Sequence, residues 1–356
     1  MGFLWKIAAS REGSGLGNTR IHTHVPASRS RRICWEEFLN KAYGEDVWKT
    51  SGYISPREAT AVPTITHQGE TAATHKEEAT MLAVISFPPP VSYEGGEGQP
   101  GLPGQAFTLV DNACIEQAFR RTSAKKSPGP DGIGPLAFRC LFLEWDTARV
   151  EALVRAHIRL GVHPARWKLA RWVIIPKPGK DDYSIAKAYR CISLVNCRGK
   201  IVEKVAADLI SRHCEATGGF HPGQYGCRTK RSAVDAVGVA IAQVQEAWSR
   251  GVVAGALLMD VAAAFPSVAR TCLLRKMREA RIDERLVRWT DSFMQDRRVI
   301  MSLDGQDGDE MPVTTGLPQG SPVSPVLFAI YVADIHRVVE DQVEDSRGIS
   351  FVDDVT

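Results

Sequence analysis

A stretch rich in proline and glycine constrains the fold most, because it excludes regular secondary structure over nearly twenty residues. It begins with three prolines after Phe87, and five glycines and two prolines follow between residues 95 and 104. Proline lacks an amide donor and glycine is entropically costly to order, so neither a helix nor a strand is expected there. We predict a linker over residues 88–106, between an N-terminal arm (residues 1–87) and a folded core that starts near Phe107.

The arm is expected to be only partly helical. Residues 1–34 show no hydrophobic periodicity, whereas Cys34–Trp48 places Trp35, Phe38, Leu39 and Ala42 on one face of a helix.

Beyond the linker, helical and strand patterns alternate. This indicates a core of the α+β class. The predicted helices are 111–124, 135–160, 199–216, 230–249, 267–280, 284–296 and 323–341, and the predicted strands are 170–175, 253–260, 298–303 and 347–353.

Composition excludes several classes of protein. The chain has 356 residues, and no apolar run approaches the roughly 18 residues that a membrane span needs. The N-terminus lacks a secretory signal, which indicates an intracellular protein. Eight cysteines without a Cys-x-x-Cys pair are typical of free core thiols and not of a zinc site.

Positive charge is concentrated in one segment. Residues 120–180 contain thirteen Lys or Arg against four Asp or Glu, although the net charge of the whole chain is only +3. Two interpretations stay open for this excess: a solvated helix face, or a surface that contacts phosphate backbones.

Two predicted strands end in aspartates. Val252–Met259 reads as a buried strand that ends at Asp260, and a later strand ends at Asp353 and Asp354. Two adjacent carboxylates repel, so a cation is needed to keep both ionised. Asp260 and Asp353 on neighbouring strands would offer oxygen ligands suited to two Mg²⁺ ions roughly 3.5–4 Å apart. An exposed turn is the alternative, as at Asp181–Asp182.

Candidate ligand-binding groups stand around these carboxylates. Residues 316–325 form a turn with two glycines and three prolines, whose backbone can approach a ligand closely. The cations upstream could bind a nucleotide triphosphate. They are Lys177, Lys180, Arg190, Arg228 and Arg231.

Six motifs in this order resemble the reverse transcriptases of non-LTR (LINE-like) retrotransposons, from about residue 107 to the end. The motifs are Ser127-Pro128-Gly129-Pro130-Asp131-Gly132, Tyr189-Arg190-x-Ile192-Ser193-Leu194, Gln224-x-Gly226-x-Arg228, Asp260 with Ala264-Phe265, Gly316-Leu317-Pro318-Gln319-Gly320-Ser321-Pro322, and Phe351-Val352-Asp353-Asp354. The resemblance implies the fingers and palm of a right-hand polymerase, with an antiparallel palm sheet packed on helices. Fingers are expected over residues 107–235 and an incomplete palm over 236–356, ending at the catalytic hairpin with the thumb missing.

The same resemblance assigns site residues. Asp260, Asp353 and Asp354 would be the catalytic metal ligands, and Arg190 would hold the incoming triphosphate. Gln319 and Gly320 match the turn beside the nascent base pair. Phe265 matches the bulky gate that excludes a ribose 2′-hydroxyl. Without the motifs, Phe265 would read as a core residue and Arg190 as part of a surface ion pair. Lys177 and Lys180 are both candidates for phosphate contact.

The implied activity is RNA-directed DNA polymerisation with an RNA template, a DNA primer and deoxynucleoside triphosphates. Two Mg²⁺ ions are expected as cofactors, with Mn²⁺ as the alternative ion, and the nucleus is the implied location. Two other functions stay open: an RNA-directed RNA polymerase, and a non-catalytic remnant that only binds nucleic acid.

Some positions depart from the family pattern. Cys191 stands where proline is usual, Cys227 replaces an aromatic residue, and Pro266 replaces a second aspartate. Only Val355 and Thr356 follow the paired aspartates, so the second strand of the hairpin is expected not to pair and this chain to show little or no activity.

Overall fold

The computed structural model describes residues 64–67, 69–86, 110–123, 126–140, 147–261, 263–303, 306–342, 346–352 and 354–355. The predicted helix over Cys34–Trp48 and the predicted linker lie outside these residues. All the described residues belong to one compact unit. None of the described helices has the length and apolar character that crossing a membrane requires.

Ten α-helices occur in the described part of the chain. They are α1 (His75–Ser86), α2 (Asn112–Arg120), α3 (Pro135–Cys140), α4 (Thr147–Leu160), α5 (Cys197–Thr217), α6 (Ala233–Ser249), α7 (Arg270–Glu279), α8 (Glu284–Met294), α9 (Ser324–Tyr331) and α10 (Ala333–Gln342). Most lie where the periodicity predicts a helix. The predicted helix 323–341 is interrupted at Val332, and residues 141–146 of the predicted helix 135–160 lie outside the described ranges.

Nine short strands form three sheets in the same residues. They are β1 (Thr66–His67), β2 (Glu70–Thr71), β3 (Leu169–Pro176), β4 (Tyr189–Leu194), β5 (Met259–Asp260), β6 (Arg297–Leu303), β7 (Gln306–Val313), β8 (Ser350–Phe351) and β9 (Asp354–Val355). The larger sheets have the orders β4-β3-β6-β7 and β5-β9-β8. The α+β class is confirmed at this level.

The four-stranded sheet is mixed. Strand β3 pairs antiparallel with β4 and parallel with β6, whose hairpin partner is β7. The sheet therefore joins residues from both sides of position 235, the predicted boundary between fingers and palm. Strands β4 and β7 were not predicted, because a strand is defined by its partner as much as by its own hydrophobic pattern.

Two hydrophobic cores hold these elements. The larger one packs helices α2, α4, α5, α7, α8 and α9 around Phe119, Trp289 and Phe328. The smaller one covers the four-stranded sheet, where Ile65 and Leu82 from the region before residue 87 pack with Trp172. The folded core thus starts earlier than Phe107. The predicted start of the core left these residues out, because α1 precedes the proline-rich stretch and its packing against the sheet is not visible in a local pattern.

Helix α5 runs through the larger core. Asn196 caps its N-terminus by accepting a hydrogen bond from the Arg198 amide at 2.9 Å, and Gly218 ends it with a φ of 72°. The Asn196 side chain also donates to Asp131 at 2.5 Å. The Ser127–Gly132 turn therefore packs against the start of α5, where a Cβ on Gly129 would meet the Asn196 backbone at 2.8 Å.

The predicted strand 253–260 is mostly absent. Only Met259 and Asp260 form strand β5, and the preceding residues are not buried: Val253 is 92% exposed and Leu258 is 79% exposed. The apolar run resembles a buried strand, but among the described residues only β9 pairs with it, over two residues. A hydrophobic run does not form a strand unless a neighbouring strand pairs with it along its length.

Candidate active site

Two of the three predicted aspartates, Asp260 and Asp354, lie opposite each other on adjacent strands. Strand β5 ends at Asp260, and antiparallel pairing with β9 places Asp260 directly opposite Asp354. Strand β9 also pairs with β8, with Phe351 opposite Asp354. Directly opposed residues in such a ladder have Cα atoms about 4.5–5.5 Å apart. Asp353 and the side chain of Asp354 lie outside the described residues.

The second strand of the hairpin does pair, so the expectation that it could not is corrected. Strand β9 has only two residues, but it lies in the centre of its sheet and forms a ladder with β5 on one side and β8 on the other. Two partners provide the hydrogen bonds that one short hairpin partner could not provide.

The hairpin turn is backbone-strained. Residues 352 and 353 connect β8 to β9, and Val352 has a φ of +64°. Two-residue hairpins favour positive φ at this position, normally with Gly or Asn. For a β-branched residue that conformation costs roughly 1–2 kcal/mol, so the surrounding structure must hold the turn in place.

Segment 223–226 holds the β8–β9 turn in place. The buried Gln224 side chain accepts hydrogen bonds from the amides of Gly226 at 2.8 Å and Val352 at 3.2 Å. The Tyr225 amide donates to the Ser350 carbonyl at 2.8 Å. A Cβ on Gly226 would overlap the Val352 amide nitrogen. Sequence reasoning assigned no role to Gln224, and the Gln-x-Gly spacing is the signal that marks it.

A pair of stacked histidines packs against strand β8 at Ser350. His336 lies within 2.8 Å of the Ser350 hydroxyl through Nε2 and stacks on His221 with ring centroids 4.5 Å apart. Burial, together with the nearby His221, lowers the pKa of His336 to about 4. His336 is therefore neutral at physiological pH and contributes packing and one hydrogen bond.

The turn at residues 316–325 joins two parts of the site. On one side, the Leu317 amide donates to the Phe265 carbonyl at 2.7 Å. On the other, the Ser193 amide donates to the Gln319 carbonyl at 2.8 Å. Gln319 and Gly320 themselves are exposed. The turn is thus fixed between β4 and the segment that follows Asp260, with its tip accessible to a ligand.

A buried arginine secures the start of this turn. Arg297 donates to the carbonyls of Thr315 at 2.5 Å and Gly316 at 2.6 Å, and also to the Met294 carbonyl at 3.2 Å. Burial lowers the pKa of Arg297 to about 10, so it keeps its charge at neutral pH. Nothing in the local sequence distinguishes this arginine from its neighbour Arg298.

The predicted phosphate-binding cations lie on the β3–β4 hairpin. Arg190 is exposed on β4 opposite Ile175, and Lys180 is exposed in the connecting loop. Lys177 is half-buried, and its Nζ donates to the Lys187 carbonyl at 2.9 Å. Arg190 and Lys180 are therefore more accessible to an anion than Lys177.

Cys191, at the position where proline is usual, has its Sγ 3.1 Å from Ser86 Oγ.

Arg228 does not fit the suggested role in binding triphosphate. Its guanidinium forms two hydrogen bonds with the Glu215 carboxylate, at 2.8 and 2.5 Å, and donates to the carbonyls of His221 and Gln224. Only 8% of its side chain is exposed. Arg228 instead stabilises the loop that carries Gln224, because a buried guanidinium with several partners is not free to capture an anion.

Phe265 is half-buried five residues after Asp260. Its ring lies 5.3 Å from that of Phe328 in α9, and its carbonyl accepts the Leu317 amide. The ring thus belongs to the wall of the larger core and also lies beside the turn that carries Gln319.

The carboxylates suit hard divalent cations. Asp260 is exposed, and carboxylate oxygen is the ligand type that Mg²⁺ and Mn²⁺ prefer. No group of three His, Cys, Asp or Glu side chains that could hold a metal occurs among the described residues, which do not include Asp353.

Known proteins resemble this chain along most of its length. It is 26% identical over 259 residues to the RNA-directed DNA polymerase from mobile element jockey of Drosophila melanogaster, covering 72% of this chain and 28% of that protein. It is 23% identical over 303 residues to the probable RNA-directed DNA polymerase from transposon BS of the same organism, covering 82% and 33%.

A third relative is the putative 115 kDa protein in type-1 retrotransposable element R1DM, also of Drosophila melanogaster. It is 25% identical over 308 residues, which cover 85% of this chain and 28% of the relative. The chain therefore spans about a third or less of the length of these relatives.

The profile of one protein family, described as reverse transcriptase (RNA-dependent DNA polymerase), matches residues 175–356, which is just over half of the chain. The match includes Arg190, Asp260 and the turn with Gln319, and the relatives are encoded by non-LTR retrotransposons. The chain belongs to the reverse transcriptase family, among the LINE-like members.

Proposed function

We propose that this chain contains the nucleotidyl-transfer site of an RNA-directed DNA polymerase, in which a primer 3′-hydroxyl attacks the α-phosphate of a deoxynucleoside triphosphate. The observation that supports it most directly is the strand register that puts Asp260 opposite Asp354. In this proposal the described helices and strands form the fingers and palm of a right-hand polymerase, and an RNA template and a DNA primer are its partners.

Asp260, Asp353 and Asp354 are proposed to hold two Mg²⁺ ions. When bound, such ions activate the attacking hydroxyl and neutralise charge on the departing pyrophosphate. Arg190 and Lys180 provide positive charge for the triphosphate at an accessible edge of the β3–β4 hairpin. Gln319 and Gly320 provide an exposed turn against which the new base pair would rest.

Phe265 is proposed to exclude ribonucleotides by steric conflict with the 2′-hydroxyl. A Phe265→Val variant should incorporate ribonucleotides more readily relative to deoxynucleotides, because the smaller side chain leaves room for the hydroxyl. Preference for ribonucleotides by the unmodified chain would instead favour an RNA-directed RNA polymerase.

A primer-extension assay tests the proposal. The purified full chain is incubated with poly(rA)/oligo(dT), dTTP and Mg²⁺, and product length is measured. Little or no activity was expected on the ground that β9 could not pair, and since β9 pairs with both β5 and β8 we now expect extension. Asp260→Asn should reduce it about 1,000-fold or more, because several kcal/mol of charge stabilisation is lost. The matched control is Asp181→Asn, which removes a carboxylate from the exposed Asp181–Asp182 pair and should leave extension unchanged.

Two other outcomes point elsewhere. Binding of the hybrid without extension would support the non-catalytic nucleic-acid-binding alternative. Extension that survives Asp260→Asn would contradict the assigned site.

We also propose a nuclear location, because copying a retrotransposon transcript onto a chromosomal primer takes place there, and cell fractionation tests it.

A further inference from the structure

A buried glutamate lies directly behind the proposed base-pair turn. Glu203 is in the middle of α5, 1% exposed, among apolar neighbours such as Ile201, Val202 and Val205. The Ser321 hydroxyl donates to its Oε2 at 2.5 Å. Ser321 follows Gln319 and Gly320 in the turn and is itself only 4% exposed. One hydrogen bond thus connects the central helix to the turn.

Stability alone does not explain this carboxyl group. Burying an ionisable group costs free energy, and an apolar side chain of similar volume at that position would usually be neutral or stabilising. Burial raises the pKa of Glu203 to about 7, while the Ser321 hydrogen bond and the charge of Lys200 oppose the rise. The group therefore changes charge near physiological pH.

The contact organises the turn locally. The Ser321 hydroxyl, oriented by Glu203, also accepts a hydrogen bond from the Val323 amide at 3.3 Å. On the other side of the tip, Gly320 is so close to β4 that a Cβ would meet the Ser193 carbonyl at 2.7 Å. The Gln319–Gly320 tip is thus held by Ser193 before it and by Glu203, through Ser321, after it.

We propose that Glu203 is a positioning residue, which sets the place of the exposed Gln319–Gly320 backbone through Ser321. The proposal rests on the proposed polymerase function, in which that backbone supports the new base pair. Above pH 7 the carboxylate accepts a charge-assisted hydrogen bond, which is roughly twice as strong as a neutral one. A local opening that breaks only the Ser321 bond and leaves Glu203 buried should therefore be rarer at pH 8 than at pH 6, although ionisation of the buried carboxyl group lowers the stability of the whole fold over the same range.

Several other groups face the same place and must be considered in any pH experiment. Burial lowers the pKa of His163 to about 3, so it stays neutral in this range. The remaining groups are basic side chains. They are Lys200 on α5, Lys168 before β3, and Arg297 and Arg298 on β6.

Hydrogen exchange of the free, full chain is the test. Peptides that cover residues 316–325 are measured at pH 6 and pH 8, and rates are corrected for the intrinsic pH dependence of exchange. We expect protection to be about fivefold higher at pH 8, since the charged bond adds roughly 1 kcal/mol. No pH effect in the unmodified chain would overturn the proposal without any variant.

Variants separate the roles of the two side chains. Glu203→Gln keeps an acceptor and the volume but cannot titrate, so the pH effect should vanish. Ser321→Ala should lower protection about fivefold or more at both pH values, and the double variant should equal Ser321→Ala alone. Glu151→Gln is the matched control, a buried glutamate on α4 paired with Arg155, and should behave like the unmodified chain.

The outcome is independent of catalysis. Exchange is measured without nucleotide or primer. An inactive chain would therefore contradict the proposed function, whereas the exchange data would still test the positioning role of Glu203. Where extension is observed, Ser321→Ala should raise KM for dTTP more than it lowers kcat. Unchanged exchange in Ser321→Ala, or a pH effect that persists in Glu203→Gln, would show that Glu203 does not position the turn.

Discussion

At Gly316, the absence of a side chain is required by contact and by conformation together. Its φ is +70°, and a Cβ would overlap the backbone of Pro266. Gly132 has a similar φ of +66° with nothing within 4 Å of the added atom. A side chain at Gly132 would therefore cost only the free energy of a left-handed backbone conformation, whereas one at Gly316 would add the free energy of steric overlap.

We expect Gly132→Ala to lower the free energy of unfolding by about 1 kcal/mol, the cost of left-handed backbone for alanine. Gly316→Ala should lower it by about 3 kcal/mol, because overpacking against Pro266 is added. Urea denaturation of both variants measures the difference. Equal losses would mean that the segment carrying Pro266 can move away from the turn at little cost.

Glu203 makes stability depend on pH. Its carboxyl ionises near 4.5 in the unfolded chain and at about 7 in the folded chain. Below pH 4.5 both states hold the proton and the stabilising contribution is complete. It is lost as pH rises through 7, by about 3 kcal/mol in total.

Glu203→Gln should remove that decline. Chemical unfolding of both proteins between pH 5 and pH 8 is the measurement, and the difference between them is the informative quantity. His163 and His336, whose pKa values are lowered by burial, act in the opposite direction as pH falls, and the subtraction cancels them. A constant difference across this range would show that Glu203 ionises normally.

Among the elements, the β8–β9 hairpin is supported by segment 223–226. Gly226 lies so close to Val352 that an added Cβ would displace the strand that leads to Asp353. Gly238, inside α6, has nothing within 4 Å of such an atom. Gly226→Ala should lower stability by about 2 kcal/mol, while Gly238→Ala should raise it by roughly 0.5–1 kcal/mol, because alanine favours helix.

Thermal melting of these two variants tests the support of the hairpin. If Gly226→Ala melts like the unmodified chain, segment 223–226 does not hold the β8–β9 hairpin, and the role assigned to Gln224 would also be in question.

Elements were predictable where their signal is local. Helix α5 and helix α8 lie where the periodicity places them, because a helix closes its hydrogen bonds within its own segment. Strand β5 is short and β7 was missed, because a ladder depends on residues far along the chain. Strand β3 shows this directly, with one partner nearby in sequence and another, β6, more than a hundred residues later.

At the scale of the whole molecule, one helix face is left uncovered by the part of the chain that the structure describes. Helix α6 exposes Val234 by 80%, Val237 by 58%, Ile241 by 54% and Trp248 by 66%, at spacings that put them on one side of the helix. Contiguous exposed apolar surface favours self-association.

We expect the free chain to self-associate through this face and to bind the dye ANS. Val237→Glu combined with Ile241→Glu should reduce both, whereas Val299→Ala, in the buried core, should lower stability without reducing association. Light scattering and dye fluorescence measure the effects. Association that is unchanged by the two glutamates would assign it to another surface.

The sequence by itself determined the chemistry of this protein: which carboxylates, cations and turn residues are present, and in what order. Residue types and short spacings are local properties, so the motifs could be read without a structure. Only the tertiary structure decided what holds them. Gln224, Arg297 and Glu203 lie in different elements from the groups they support, and their roles follow from burial and contacts across the chain, which no local pattern encodes.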